Sequence, residues 1–259
     1  MSVVDYIVDS LNLAWRFFAF GLLPYALFAL IMQWCSNTIR DRLSAALGDR
    51  GFIYLTAPGV AVHELGHAFF CLLFRHKIDE IKLFAPEKDG TLGYVSHRYD
   101  PSSRFQRIGN LFIGTGPIWS GILVLWIATR LLVPEFAVAR GFALGTFFSA
   151  LFSSAFWSHW QSWLWLYILF TVGAHITLSP PDLKGAADGG VALAAVLLML
   201  GFLLGWSRSV NSFCRHRLPD IAMNTLGMLA GILTVLLVAA AVLMILVRKQ
   251  KKRKGGLNA

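Results

Sequence analysis

The sequence predicts an all-α polytopic membrane protein of about seven transmembrane helices, with a small β-hairpin after the second of them. Three observations carry the prediction. Hydrophobic residues make up 56% of the chain and charged residues 14%, the balance of a protein whose surroundings are largely apolar. Apolar runs recur at close to the ~20 residues that cross ~30 Å of hydrocarbon. Trp and Tyr gather at the ends of these runs, as they do at membrane interfaces.

In chain order the candidate spans are residues 13–34, 52–74, 109–133, 137–157, 162–178, 190–207 and 223–247. Asp5 and Asp9 stand where a signal sequence would be basic, and no small-residue cleavage site follows the first run, so it is expected to be retained. The fourth run holds Arg140 and is diluted by Gly and Ser. Trp157, Trp160, Trp163 and Trp165 surround the connection to the fifth, where they read as an interfacial aromatic belt. The chain divides into an N-terminal span with its connecting segment (1–50), a membrane core (51–207), and a C-terminal span with a basic tail (208–259).

The formal charge of +9 comes from Lys and Arg in connecting segments and in the tail Arg248 to Lys254. No basic face interleaved with aromatics is present to read bases, so the expected partner is a lipid bilayer and not nucleic acid. The expected location is an integral, multi-pass position in a bacterial inner (plasma) membrane. The oligomeric state is not legible. Cys35, Cys71 and Cys214 are scattered and odd in number, so they form neither a disulfide framework nor a paired-cysteine metal site.

The stretch VAVHELGHAFF, residues 60–70, sets two histidines and a glutamate in the second run. An ionisable group within a span costs at least a few kcal/mol unless paired, wetted or metal-bound. His63 and His67 are four residues apart, so their imidazoles share one helical face within reach of a single ion. Glu64 sits beside them, where a carboxylate can take a proton from activated water. Cys71 continues the same stripe, but about 12 Å of helix separates it from His63. It reads as core, His76 as a solvated residue beyond the span, and His97 as part of a solvated basic segment.

A third ligand has to come from elsewhere. The polar segment GAHITLSPPDLKGAADGG, residues 173–190, offers His175, Asp182 and Asp188, and its Pro and Gly pairs argue against continuous helix. Asp182, directly after Pro180 and Pro181, is preferred over Asp188, which falls near the start of the next span. Between the two regions, IDEIKLF and TLGYVSH are alternating runs joined by APEKDG, with Pro86 and Asp89-Gly90 as turn formers, which predicts a β-hairpin. Its edge at Gly93, Tyr94 and Val95 could accept an unwound substrate as an added strand.

HELGH, the following GTLGYV, the TGPIWSG of the next span and the late PPDLKGAADGG together resemble the site-2 protease family of intramembrane zinc metalloproteases, over about residues 52–207. The resemblance implies zinc ligation by His63 and His67, catalysis by Glu64, and a third ligand at Asp182 or Asp188. It departs from the family pattern at Ser120, where Asn is usual, and in the form of the late motif. The expected function is that of an intramembrane zinc metalloendopeptidase using zinc-activated water on membrane-anchored proteins, in regulated intramembrane proteolysis. The alternatives are a transporter, or a non-catalytic membrane scaffold retaining a metal site.

Overall fold

The computed structural model describes residues 3–87, 90–138, 141–142, 144–223 and scattered positions from 226 to 241. Helix α1 (Val3–Arg16) passes through a π-helical stretch (Phe17–Leu22) into α2 (Leu23–Leu47), followed by α3 (Asp49–Leu55) and α4 (Ala57–Leu73). Strands β1 (Lys77–Lys82) and β2 (Tyr94–Arg98) come next, then α5 (Arg104–Gly114) and α6 (Gly116–Leu132). A 3-10 turn (Pro134–Phe136) and two-residue strands β3 (Ala137–Val138) and β4 (Gly141–Phe142) lead to α7 (Leu144–Leu151), α8 (Ser154–Ser158) and α9 (Trp160–Gly173). Helix α10 (Pro180–Leu204), α11 (Arg208–Ser212) and a π-helical stretch (Phe213–Arg217) complete the described elements.

Three of these helices begin the same way. Thr56-Ala57-Pro58, Thr115-Gly116-Pro117 and Ser179-Pro180-Pro181 each place Pro in the first two helical positions of α4, α6 and α10. There its missing N–H costs nothing, while a preceding helix cannot run through it. Thr56 is pinned by the Thr171 hydroxyl, which donates to its carbonyl at 3.0 Å and accepts from the Gly59 amide at 2.9 Å.

Helix α4 packs against α6 and α9, and α10 lies along α5 and α1. Small residues let the first pair cross closely. A methyl group at Gly66 would lie 2.6 Å from the Gly116 carbonyl oxygen, and one at Gly116 2.7 Å from the Gly66 oxygen, so only two glycines fit there. The apolar core includes Trp165 and Leu169 of α9, Leu125 of α6, and Phe136, Phe147 and Ile176. The Trp165 indole N–H donates to Thr129 Oγ1 at 3.0 Å, so this belt candidate is a core residue.

The seven-span expectation fails on these breaks. Among the described residues two helices are long and apolar enough to cross a membrane, Val3–Ser44 and Pro180–Leu204, or three if Arg104–Gly114 and Gly116–Leu132 count as one span despite a 54° bend. Run 52–74 is cut at Thr56, leaving α4 with 17 residues, about 26 Å of helix against ~30 Å of hydrocarbon. Run 137–157 resolves into two-residue strands and the short α7 and α8, and run 162–178 into the 14 residues of α9. Run 223–247 and the basic tail fall largely outside the described residues.

HELGH is therefore carried on a helix that is not among the membrane-length ones, and it is packed by α6, α9 and the strand pair. The premise of an intramembrane site falls with that. So do the multi-pass bacterial inner-membrane location, the lipid bilayer and a membrane-anchored substrate as partners, intramembrane proteolysis, and the membrane transporter and scaffold alternatives.

Candidate metal centre

His63 and His67 lie on the same face of α4 with their Nε2 atoms 3.2 Å apart. Each ring is oriented from behind. His63 Nδ1–H donates to the His175 carbonyl at 2.8 Å, and His67 Nδ1–H to the Ile113 carbonyl at 2.7 Å. In those neutral tautomers both Nε2 atoms are bare lone pairs facing each other. Their separation is close to the roughly 3.3 Å edge that two imidazoles make around one tetrahedral zinc. Hydrogen bonds from the far nitrogen to carbonyl groups are the usual means of fixing ligand histidines. Burial, reinforced by His67, holds His63 down to about 4, which keeps its lone pair available at neutral pH.

Asp182 completes the group. Its Oδ1 is 3.5 Å from His67 Nε2, and ligand atoms of His63, His67 and Asp182 all lie within 4.8 Å of one another. Its Oδ2 accepts from the Ser179 amide at 2.8 Å and the Ser179 hydroxyl at 2.6 Å, closing a capping box at the start of α10. The expectation that Asp182 sits in non-helical backbone is corrected: it is the third residue of α10, and Pro180-Pro181 starts that helix. Asp188 is elsewhere, half-exposed and 3.3 Å from Arg107. The His175 ring is outside the group, and its buried Nε2 has no hydrogen-bond partner among the described residues.

Glu64 is 6% exposed. Burial, with the nearby Asp182 carboxylate adding to it, pushes its carboxyl up to about 7. Gly93 lies directly over it: a methyl group there would meet Glu64 Cγ at 2.9 Å and the Lys82 carbonyl oxygen at 2.7 Å. Strands β1 and β2 pair antiparallel, Lys82 with Tyr94 and Ile81 with Val95, with a register shift between Ile78 and Glu80. The Tyr94 hydroxyl donates to Glu80 Oε2 at 2.6 Å, and Lys82 Nζ sits 5.0 Å from the Tyr94 ring centre. Asp89 of the connecting turn lies outside the described residues.

A second group was not anticipated. Ligand atoms of Cys71, His76 and His97 also lie within 4.8 Å of one another. His76 is 4% exposed, buried where solvent was expected. Distance along the helix keeps Cys71 and His76 out of the first site. The sequence signal was Cys71 and His76 flanking a helix end, with His97 on the strand returning to it. Among the described residues the chain thus places two sets of donors able to hold a metal ion.

No family model, curated protein or solved structure matches the chain. What stands at this level is a metal-binding arrangement, and not membership of a family.

Proposed function

We propose that this chain is a zinc-dependent hydrolase of the metalloendopeptidase type, with His63, His67 and Asp182 as ligands and Glu64 as general base. The observation that supports it most is the facing pair of Nε2 atoms, each left bare because its ring carries the proton on Nδ1 and donates it to a backbone carbonyl behind it. Without a cation between them, two lone pairs 3.2 Å apart repel. Two imidazoles, one carboxylate and an open position make a common catalytic zinc set, which favours zinc over metals that prefer all-oxygen sites. Zinc bound there supplies Lewis acidity, lowering the pKa of water and polarising a carbonyl.

The protein's own groups do the rest. Glu64 takes a proton on its carboxylate and returns it to the leaving amine, and a pKa raised towards neutrality suits a group that must do both. Asp182 is held by Ser179 so that Oδ1 alone faces the histidines. Gly93 to Val95 would hold an extended peptide by main-chain hydrogen bonds, since the absence of a side chain at Gly93 brings that strand onto Glu64. The resemblance of HELGH, TGPIWSG and PPDLKGAADGG to the site-2 protease family supports the same ligand and base roles.

The test is hydrolysis of a mixture of unstructured peptides, read by mass spectrometry. Zinc-loaded protein should produce new termini, while chelator-treated and Glu64→Gln proteins should not. Equal cleavage by Glu64→Gln would remove Glu64 as the base.

A further inference from the structure

The geometry points to a second metal site, formed by Cys71, His76 and His97, that takes a thiophilic divalent ion such as zinc and ties strand β2 to the end of α4. It stands beside the catalytic reading and does not depend on it. The donors come from three pieces of chain. Cys71 is in the last turn of α4, His76 follows the turn after it, and His97 is on β2. The backbone bends to deliver His76: Arg75 adopts φ 59°, a left-handed conformation that costs a non-glycine residue energy, and the His76 amide folds back to donate to the Cys71 carbonyl at 2.8 Å.

The rings are also oriented. His76 Nε2–H donates to the Gln106 carbonyl at 2.9 Å, which leaves Nδ1 as the bare nitrogen, and the Tyr99 ring stacks on His76 at 5.1 Å and 16°. That nitrogen faces His97 Nδ1 at 3.1 Å, close to the roughly 3.3 Å edge of a tetrahedral zinc site. Cys71 is 0% exposed, so its sulfur contributes to this group and not to solvent. One sulfur and two imidazoles select zinc or similar borderline-soft ions over magnesium or calcium. The competing arrangement is a plain hydrogen bond, His97 Nδ1–H to His76 Nδ1, beside an inert thiol.

The consequence is mechanical. Strand β2 begins at Tyr94, next to the Gly93 that covers Glu64, and carries His97. An ion joining His97 to Cys71 would hold that cover in place.

The experiment uses the full chain, stripped with chelator and reloaded with zinc or cobalt(II). Wild type should hold about two ions per chain, and His63→Ala/His67→Ala and Cys71→Ser/His97→Gln about one each. Cobalt(II) should give a near-ultraviolet thiolate charge-transfer band in wild type and in His63→Ala/His67→Ala, and none in Cys71→Ser. The band needs no variant to be seen, so a misfolded mutant cannot decide the matter. Absence of the band from cobalt-loaded wild type, or unchanged metal content in Cys71→Ser/His97→Gln, overturns the second site. One ion lost only in His63→Ala/His67→Ala overturns it while leaving the first. One ion with the band, lost only in Cys71→Ser/His97→Gln, supports it and removes the catalytic reading instead.

Discussion

Because Asp182 Oδ2 is engaged by both the amide and the hydroxyl of Ser179, its Oδ1 has a narrow range of directions, and that range includes His67. Ser179→Ala should cost about 1 kcal/mol of stability through the lost cap. It should also weaken zinc at the first site by about 10- to 100-fold, the usual cost of removing a partner behind a ligand. Competition against a chelator reads the second effect; unchanged affinity would mean the cap does not aim the carboxylate. Glu64 gives a pH prediction. Its folded pKa is raised from 4.5 to about 7, so folding favours its protonated form. The stability this adds to metal-free protein is present below pH ~4.5 and lost as pH rises through ~7. Glu64→Gln cannot titrate, so it should equal or trail wild type at pH ~4.5 and exceed it at pH ~8, by on the order of 2 kcal/mol after discounting solvent screening. Denaturant unfolding of both proteins without metal at the two pH values measures the difference, and a gap independent of pH would contradict the raised pKa.

Among the elements, the crossing of α4 and α6 sets how closely HELGH approaches its surroundings. Gly66→Ala would push a methyl group to 2.6 Å from the Gly116 oxygen and 2.5 Å from Ser120 Oγ, and backbone cannot yield as a flexible side chain can. It should destabilise by about 1–3 kcal/mol, read as a fall in melting temperature; an unchanged value would mean the helices stand farther apart. Gly93→Ala meets Glu64 Cγ and the Lys82 oxygen. It should lower peptide cleavage by at least about tenfold, because a small displacement at the reacting groups is costly, while leaving zinc content unchanged. Full activity would detach β2 from the catalytic reading. The elements also show why the sequence misled. Apolar runs record composition, and Pro58 and Pro117 mark where runs 52–74 and 109–133 stop being one helix. Helices α4 and α6 begin at those prolines, and a span count blind to them overshoots. The helical face shared by His63 and His67 needed only their spacing, which no tertiary contact can alter.

At the scale of the whole molecule, the candidate centre belongs to no single segment. Helix α4 supplies His63, His67 and Glu64, α10 supplies Asp182, and the carbonyls that set the tautomers come from Ile113 at the end of α5 and His175 after α9. Such convergence depends on packing between residues more than a hundred positions apart, which is why the third donor stayed open between Asp182 and Asp188 in the sequence. The pairing of His76 with His97 spans only 21 positions and depends instead on how β2 folds back onto the end of α4. Packing separates the two aspartates clearly: one faces the histidines, and the other pairs with Arg107 on the surface. The most direct measurement is the zinc content of purified Asp182→Ala and Asp188→Ala beside wild type. Asp182→Ala should lose about one zinc ion per chain and Asp188→Ala none. Full zinc content in Asp182→Ala, or depletion in Asp188→Ala alone, would contradict a centre built from His63, His67 and Asp182.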